Sequence, residues 1–334
     1  MASLLDVTLR DGGFDVDFDW PHDLFEMVPT ALGGVGVDIV ELGYIGGVPL
    51  EHSVARAGVG AYLIPEHIAT AHKGGPMLAA MVHPSALVEP LDLEPYAAAR
   101  LDMLRIVYHT AWFDALITLA VHAREVGLAT SVNIALASRY EPTELIAQAT
   151  AIQKHMDPDV LYLADTCGAL LPDQVHDLVT RMRTAVDTHI GFHAHDSLNL
   201  AYANALAAVA AGATHIDCSV LGLGRGGGNL AAEPLLLRHR LPIATPAAAA
   251  ALLDCRSRLA SVTGRAAETL VPAVCGTLNL TPVEEQSLRD FAESEQLDID
   301  TAALWVVSAT PHVTSLHVGD LRAAWRAHDR ESSG

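Results

Sequence analysis

The sequence predicts an α/β fold, a (β/α)8 TIM barrel with a small C-terminal helical appendage. Three observations carry that prediction. Short continuous apolar runs recur from Leu4 to Ser219, with amphipathic or Ala-rich stretches between them. Continuous apolar strands that alternate with helices require a parallel sheet covered by those helices. Eight such units fall within about 240 residues, a length at which a parallel sheet of this kind closes on itself. After Pro242 the strand signal stops, so residues 1–243 are assigned to the barrel and 244–334 to a helical region.

The first strand is expected over Leu4–Leu9, running into Arg10-Asp11-Gly12-Gly13, where the two glycines predict a sharp turn. The second is Ile39–Leu42, with Glu41 near its end. The rest follow as Met77–Val82, Met103–Val107, Thr130–Ile134, Val160–Ala164, Thr188–Phe192 and Thr214–Ser219. Helices are expected over Phe113–Val126, Glu141–Lys154, Asp173–Val186 and Leu200–Ala211. The later strands start about 25–30 residues apart, enough for the helical crossover that joins parallel neighbours. In the appendage, Thr245-Pro246 and Thr281-Pro282 each set an N-cap before a proline at the first helical position. Thr281 with Glu284 also fits a capping box. Leu304–Val307 and Leu321–Trp325 supply apolar stripes for two further helices, and Glu331–Gly334 is expected to fray.

Half of the chain is apolar, at 51%, which suits a large buried core. Lys plus Arg number 20 against 40 Asp plus Glu, a formal charge of −20. Such an acidic balance argues against nucleic acid and anionic membrane as partners. Cys167, Cys218, Cys255 and Cys275 form no C-x-x-C pair and read as reduced thiols of a cytoplasmic protein. The first ten residues hold no basic segment followed by an apolar run, so no signal peptide is expected. No run reaches the ~18 apolar residues of a membrane span.

His193-Ala194-His195-Asp196 ends the seventh strand. Strand side chains alternate, so His193 and His195 present two imidazoles to the same side. Asp11 closes the first strand, and in a parallel barrel all three reach the C-terminal face, where barrel active sites lie. Two histidines and one carboxylate leave coordination positions open to substrate and water. Mixed oxygen and imidazole ligands suit Mn2+ or Mg2+, with Zn2+, Co2+ and Fe2+ as further candidates. Asn229 is a candidate for one more oxygen ligand.

Arg10 has two readings. Beside a metal it would stabilise an enolate or developing alkoxide; alternatively it pairs structurally with Glu41 or Asp38. Glu41, a carboxylate in an apolar run, needs a partner, and Arg10 is the expected one, which sets Glu41 behind the substrate-binding guanidinium. Thr166, at the end of strand six, offers a hydroxyl to a substrate carboxylate. Cys167 has no histidine adjacent in sequence, and a buried thiol is usually inert. Gly222–Asn229 is either a run of backbone N–H groups converging on an anion or a tight turn needing positive φ. It lacks the Gly-Lys-Ser/Thr ending of a P-loop.

Thr8-Leu9-Arg10-Asp11-Gly12, His193-Ala194-His195-Asp196, and Gly222-Leu223-Gly224 leading to Gly228-Asn229 together resemble the pyruvate-handling metal lyases and synthases built on barrels. That HMG-CoA lyase-like group includes 4-hydroxy-2-oxovalerate aldolase, hydroxymethylglutaryl-CoA lyase, isopropylmalate synthase and homocitrate synthase. Asp217-Cys218-Ser219 and the glycine loop are most similar to the 4-hydroxy-2-oxoacid aldolases. The resemblance implies metal ligation by Asp11, His193 and His195, an enolate oxygen held by Arg10, and a substrate carboxylate met by Thr166. It also implies a 2-oxoacid and an aldehyde as small-molecule partners. An aldehyde dehydrogenase is a protein partner to be tested, although the helical tail does not closely match the one that docks it in the aldolases, and the apolar helical tail makes a homo-oligomer the expected state.

Two departures stand out. The aldolases carry a general acid–base histidine shortly after Arg-Asp, where this chain has Gly13-Phe14; the synthases carry Glu-Gln there. Gly12-Gly13-Phe14 with Asp17-Phe18 instead resembles a bacterial sub-group of aldolase-like proteins. The proton-transfer group must then come from elsewhere, with His22, Tyr44, His109 and Asp17 as candidates. The expected reaction is metal-dependent cleavage or formation of a 4-hydroxy-2-oxoacid. Its rivals are an acyl-CoA-dependent Claisen synthase, which would need a thioester pocket and a larger C-terminal domain, and a catalytically weakened barrel acting as a partner subunit.

Overall fold

The computed structural model describes residues 2–49, 58–71, 75–87, 90–241, 244–266, 269–309 and 317–332. Eight parallel strands close into one barrel in sequence order. They are β1 (Ser3–Asp6), β2 (Ile39–Tyr44), β3 (Met77–Val82), β4 (Met103–Tyr108), β5 (Ala129–Ile134), β6 (Val160–Asp165), β7 (His189–Ala194) and β8 (His215–Cys218). The seam joins Ser3 to His215 and Asp6 to Cys218. The connecting helices are α1 (Leu24–Gly34), α2 (Pro65–Ala71), α3 (Glu94–Ala98), α4 (Phe113–Glu125), α5 (Pro142–Met156), α6 (Pro172–Ala185) and α7 (Ala201–Ala210). Each expected strand and helix is present, with ends moved by a few residues.

Two of those moves have physical causes that matter for the site. The first strand ends at Asp6, three residues before the expected Leu9. The Asp6 carboxylate accepts the Thr8 backbone N–H at 3.0 Å and the Thr8 hydroxyl at 2.7 Å. This local side-chain bond diverts the backbone from the ladder, and a helical turn follows, with Asp11 N–H donating to Val7 O. The turn that brings Arg10 and Asp11 to one side is therefore set at Asp6, not at Gly12-Gly13 as the sequence suggested. The second move is in β2, which continues to Tyr44, so Glu41 lies in mid-strand and is fully buried.

Strand alternation sorts the barrel interior into layers. Leu5, Ile39, Ala79, Met103, Val160 and Tyr162 pack as one buried apolar cluster. Two residues on along β2 and β4, on the same face, stand Glu41 and Arg105. The Arg105 guanidinium lies 4.5 Å from the centre of the Tyr162 ring. Gly191 makes room for that ring, since a Cβ there would fall 2.5 Å from its atoms. The interior thus passes from an apolar floor to a charged layer below the C-terminal mouth.

The contacts divide the chain into two compact units, one of residues 1–33 and 37–232, the other of 34–36 and 233–334. The division falls at Glu233, so most of α8 (Ala232–His239) groups with the C-terminal helices, ahead of the expected boundary at 243. The other helices of that unit are α9 (Pro246–Thr263), α10 (Val271–Leu278), α11 (Pro282–Ser294), α12 (Ile299–Ala309) and α13 (Val318–Ser332). Thr245 caps α9 through Ala248 N–H, and Thr281 with Glu284 forms the capping box of α11. The unit's own core holds Leu252, Leu259, Phe291 and Val306, with Trp305 and Trp325 edge to face at 5.1 Å. Arg256 is buried there between Glu233 at 2.9 Å and Asp300 at 3.4 Å. No described helix is long and apolar enough to cross a membrane.

Candidate active site

Asp11, His193 and His195 come together at the C-terminal mouth of the barrel. One ligand atom from each lies within 4.8 Å of the others, and all three residues are buried. His193 reaches the site from the last turn of β7, and His195 from the bridge that follows it, paired with Asn229. The two imidazoles meet through their Nε2 atoms at 3.3 Å, and His195 Nε2 is 3.8 Å from Asp11 Oδ2.

The hydrogen bonds on the far side of each ring set the tautomers. His193 Nδ1 lies 3.0 Å from Asp217 Oδ2, and His195 Nδ1 lies 3.1 Å from the Gly228 carbonyl oxygen. Both partners only accept, so both Nδ1 atoms carry the hydrogen and both Nε2 lone pairs point into the same space. Burial and the neighbouring His193 push the His195 pKa down to about 4, so its ring is neutral at pH 7. Two lone pairs at this separation repel unless a cation lies between them.

Asn229 supplies a further donor. Its Nδ2 donates to Asp11 Oδ2 and to the Leu223 carbonyl, both at 2.8 Å, which leaves its buried Oδ1 without a hydrogen-bond partner. An orphaned amide oxygen beside a carboxylate and two imidazole lone pairs is a donor set that fits a divalent cation. The carboxylate ligand is ionised at all ordinary pH. Burial opposes its charge, but Arg10 with His195 and His193 outweighs it and holds the Asp11 pKa well below the usual carboxylate range.

Beneath the donors lies a buried ion network. Arg10 Nη1 donates to Asp11 Oδ1 at 2.6 Å and Arg10 Nε to Glu41 Oε2 at 2.7 Å. The same Glu41 oxygen takes Arg105 Nη1 at 2.9 Å. Arg105 Nη2 donates to Asp217 Oδ2 at 2.6 Å and to Asn133 Oδ1 at 3.0 Å. Glu41 is thus the partner expected for Arg10, and it is held between two guanidiniums with no exposure of its own. Each charge has a short, directional partner, while Glu41 Oε1, Arg105 Nε and Asp217 Oδ1 are buried without a hydrogen bond.

A cavity of about 390 Å3 opens above this layer, lined in part by Arg10, Tyr44, His109, Thr166, His193, His195 and Arg225. Thr166 Oγ1 accepts Leu136 N–H at 2.9 Å, which directs its own O–H to donate elsewhere. Tyr44 is buried, and burial raises its phenol pKa. His109 sits exposed at the rim, with Nδ1 accepting Ala111 N–H at 3.1 Å. The cavity lining does not include His22 or Asp17, both of which are exposed.

Three backbone N–H groups of the glycine loop are already engaged within the protein. Gly224 N–H meets the Asp15 carboxylate at 3.3 Å, Gly228 N–H the Arg225 carbonyl at 3.0 Å, and Asn229 N–H the Gly222 carbonyl at 3.0 Å. The loop's smallness serves close approach: a Cβ at Gly224 would strike the Asn229 amide and stand 2.8 Å from Asp11 Oδ2. Sequence reasoning assigned no role to Arg105, Asn133 or Arg225, and used Asp217 only as part of a motif. Arg105 and Asp217 carried the same signal as Glu41, a charge inside an apolar strand. Arg225 carried none beyond its place among glycines.

Known proteins resemble this chain in sequence and in fold. The HMGL-like family model matches residues 106–256. The oxaloacetate decarboxylase of Mycobacterium tuberculosis is 31% identical over 236 residues, 70% of this chain and 68% of that protein. The 4-hydroxy-2-oxovalerate aldolase of Pelotomaculum thermopropionicum is 32% identical over 236 residues, with the same coverage of 70% and 68%. Among solved structures, hydroxymethylglutaryl-CoA lyase from Pseudomonas aeruginosa has a TM-score of 0.62 at 19% identity, covering 79% of this chain and 94% of that one. The carboxyl transferase domain of Rhizobium etli pyruvate carboxylase has a TM-score of 0.63 at 16% identity, over 92% of this chain and 60% of that one. The structural likenesses establish the shared barrel, and the sequence matches establish descent: the chain belongs to the HMGL-like family.

Proposed function

We propose that the protein is a divalent-metal-dependent lyase that breaks or forms the C3–C4 bond of a 2-oxoacid. The leading substrate class is a 4-hydroxy-2-oxoacid, cleaved to a pyruvate-type 2-oxoacid and an aldehyde. The observation that carries this reading is the buried Asp11, His193 and His195 set with Arg10 bound to its carboxylate at 2.6 Å, facing a cavity of small-molecule size. Mn2+ or Mg2+ would be held by Asp11, His193, His195 and the Asn229 amide oxygen, and would supply Lewis-acid stabilisation of the 2-oxo group and its enolate.

The chain's own residues do the rest. Arg10 is locked between Asp11 and Glu41, so its remaining N–H groups are pre-aimed at the developing enolate oxygen without reorganisation. The Thr166 O–H orients the substrate carboxylate. Retro-aldol cleavage also needs a base for the 4-hydroxyl proton. Tyr44 and His109 line the cavity; burial keeps Tyr44 protonated, so it is the candidate proton donor to C3, and His109 is the candidate for the hydroxyl proton, which it can take only by giving up the Ala111 N–H that its Nδ1 accepts.

One observation favours a second reading. The place after Arg-Asp is filled by Gly13 and Phe14, and His22 is exposed outside the cavity lining. A substrate whose leaving group is a carboxylate needs no such base. The C–C electron pair stays on C3, CO2 departs, and one proton is later added to C3. Oxaloacetate-type decarboxylation therefore uses the same residues with one fewer demand.

The test is pyruvate release by metal-stripped protein, with and without Mn2+, from 4-hydroxy-2-oxovalerate and from oxaloacetate. Mn2+-dependent release that Asp11→Ala abolishes is the expected result. No release from either, with CoA set free from acetyl-CoA and a 2-oxoacid, would transfer the protein to Claisen chemistry. Cytoplasmic location, a homo-oligomeric state and docking of an aldehyde dehydrogenase belong to this reading, and co-purification with sizing chromatography checks the last two.

A further inference from the structure

We propose that Arg225 binds a second carboxylate on the substrate, so that this site prefers 2-oxoacids whose leaving fragment is itself anionic. The proposal rests on the reading of the cavity as a 2-oxoacid site. Arg225 projects from the glycine loop into the same cavity as Arg10, Thr166 and the two histidines, with its side chain 32% exposed. Its guanidinium carbon stands 4.5 Å above the centre of the Phe14 ring. Stacking fixes the plane of the guanidinium while using none of its N–H groups.

Those N–H groups are not committed to Asp11. The shortest approach is Arg225 Nε to Asp11 Oδ1 at 3.7 Å, beyond hydrogen-bond reach, and the two terminal nitrogens lie farther still. The Asp11 oxygens are already engaged, one by Arg10 at 2.6 Å and the other by Asn229 at 2.8 Å. Among the described residues the Arg225 guanidinium donates no hydrogen bond. A planar, stacked fork with its donors unused, on the wall of a small-molecule cavity, matches a carboxylate.

The charges of the site agree. Asp11, Glu41 and Asp217 face Arg10 and Arg105, three carboxylates against two guanidiniums, which leaves one negative charge. A divalent cation and Arg225 together turn that into two positive charges. A 2-oxoacid with two carboxylates neutralises them, whereas one with a single carboxylate leaves a positive charge uncompensated at the mouth. Phe14 stands near the place where the aldolases carry their general acid–base histidine, and here its ring supports the Arg225 cation.

The test compares 2-oxovalerate with 2-oxoglutarate, which share a chain length and differ in a terminal methyl against a carboxylate. Binding to the full-length, Mn2+-loaded protein is measured by calorimetry. The dicarboxylate is expected to bind at least about tenfold more tightly, the scale of one charge-assisted hydrogen-bonded contact. Arg225→Gln should bring the ratio near one while 2-oxovalerate affinity stays within about threefold, and Arg225→Lys should keep part of the preference. Equal affinities in the parent protein would overturn the proposal. So would an equal loss for both ligands in Arg225→Gln, since that places Arg225 at the metal end through Asp11. If charge-dependent binding holds but neither oxaloacetate nor 4-hydroxy-2-oxovalerate is cleaved with Mn2+, the cleavage reading falls and the anion subsite stands.

Discussion

Asp217 is the residue on which two of the site's demands converge. The same oxygen, Oδ2, accepts from His193 at 3.0 Å and from Arg105 at 2.6 Å. Partners behind a metal-bound histidine fix its tautomer and its aim. Asp217→Asn preserves the shape but lets His193 turn its ring and leaves Arg105 short of one anion. Mn2+ affinity by calorimetry is expected to fall about 10–100-fold, and the metal-free protein to lose up to ~3–5 kcal/mol in urea unfolding. An unchanged affinity would remove Asp217 from the metal's support. His195 gives a prediction in pH. Its pKa falls from 6.5 in the unfolded chain to about 4 in the folded protein. Above pH 6.5 the ring is neutral in both states and contributes nothing to the pH slope. Below it the unfolded chain takes up a proton that the folded one refuses, so stability is lost as pH falls toward 4. For metal-free protein the loss is on the order of 3 kcal/mol, read as a decline in the urea midpoint between pH 7 and pH 4. His195→Asn should flatten that part of the curve.

At the scale of elements, the barrel was legible and its loops were not. Eight apolar runs of strand length, at helical-crossover spacing, leave few alternatives to a closed parallel sheet. The strand ends escaped because they are set by side chains that the periodicity does not register, such as the Asp6 carboxylate on Thr8. The convergence of Asp11, His193 and His195 was legible because His-x-His is itself a statement about facing. Arg105 was not, since pairing a charge on β4 with others on β2 and β8 requires the closed circle first. The glycine loop shows the limit most directly: its composition fits an anion cradle, a strained turn or close packing equally, and only tertiary contact decides. That decision can be checked. Gly224→Ala forces a Cβ against the Asn229 amide and the Asp11 carboxylate, so Mn2+ affinity should fall by about tenfold or more. Gly226→Ala meets nothing within 4 Å and sits at φ +61°. It should cost only ~1 kcal/mol of local backbone strain and leave Mn2+ affinity within a factor of two or so. Equal behaviour of the two variants would show that loop strain, and not approach to the metal set, explains the glycines.

On the scale of the whole molecule the site lies entirely within one of the two units, since every residue of the donor set, the ion network and the cavity lining belongs to the barrel. The donor set draws on the turn after β1, on β7 with the bridge that follows it, and on the loop after β8, and the network behind it on β2, β4, β5 and β8, so a cation held there would tie strands from around the circle. A ligand bound only by the folded state stabilises it in proportion to its occupancy, by about 2.7 kcal/mol at a free concentration 100 times Kd. For a barrel of this size that corresponds to a rise in Tm of roughly 5–10 °C. Thermal unfolding followed with and without Mn2+ should show this rise in the parent protein. Asp11→Asn keeps the size of the side chain but removes the anionic ligand and one of the two acceptor oxygens, and its Tm should move by less than about 2 °C on adding Mn2+. Two outcomes would count against a cation at this set: no shift in the parent protein, or an equal shift in the Asp11 variant, which would place the stabilising ion elsewhere on a surface of formal charge −20. Raising the ionic strength separates these. Diffuse counterion binding to that surface is screened within a Debye length of about 8 Å, whereas ligation by three buried residues persists.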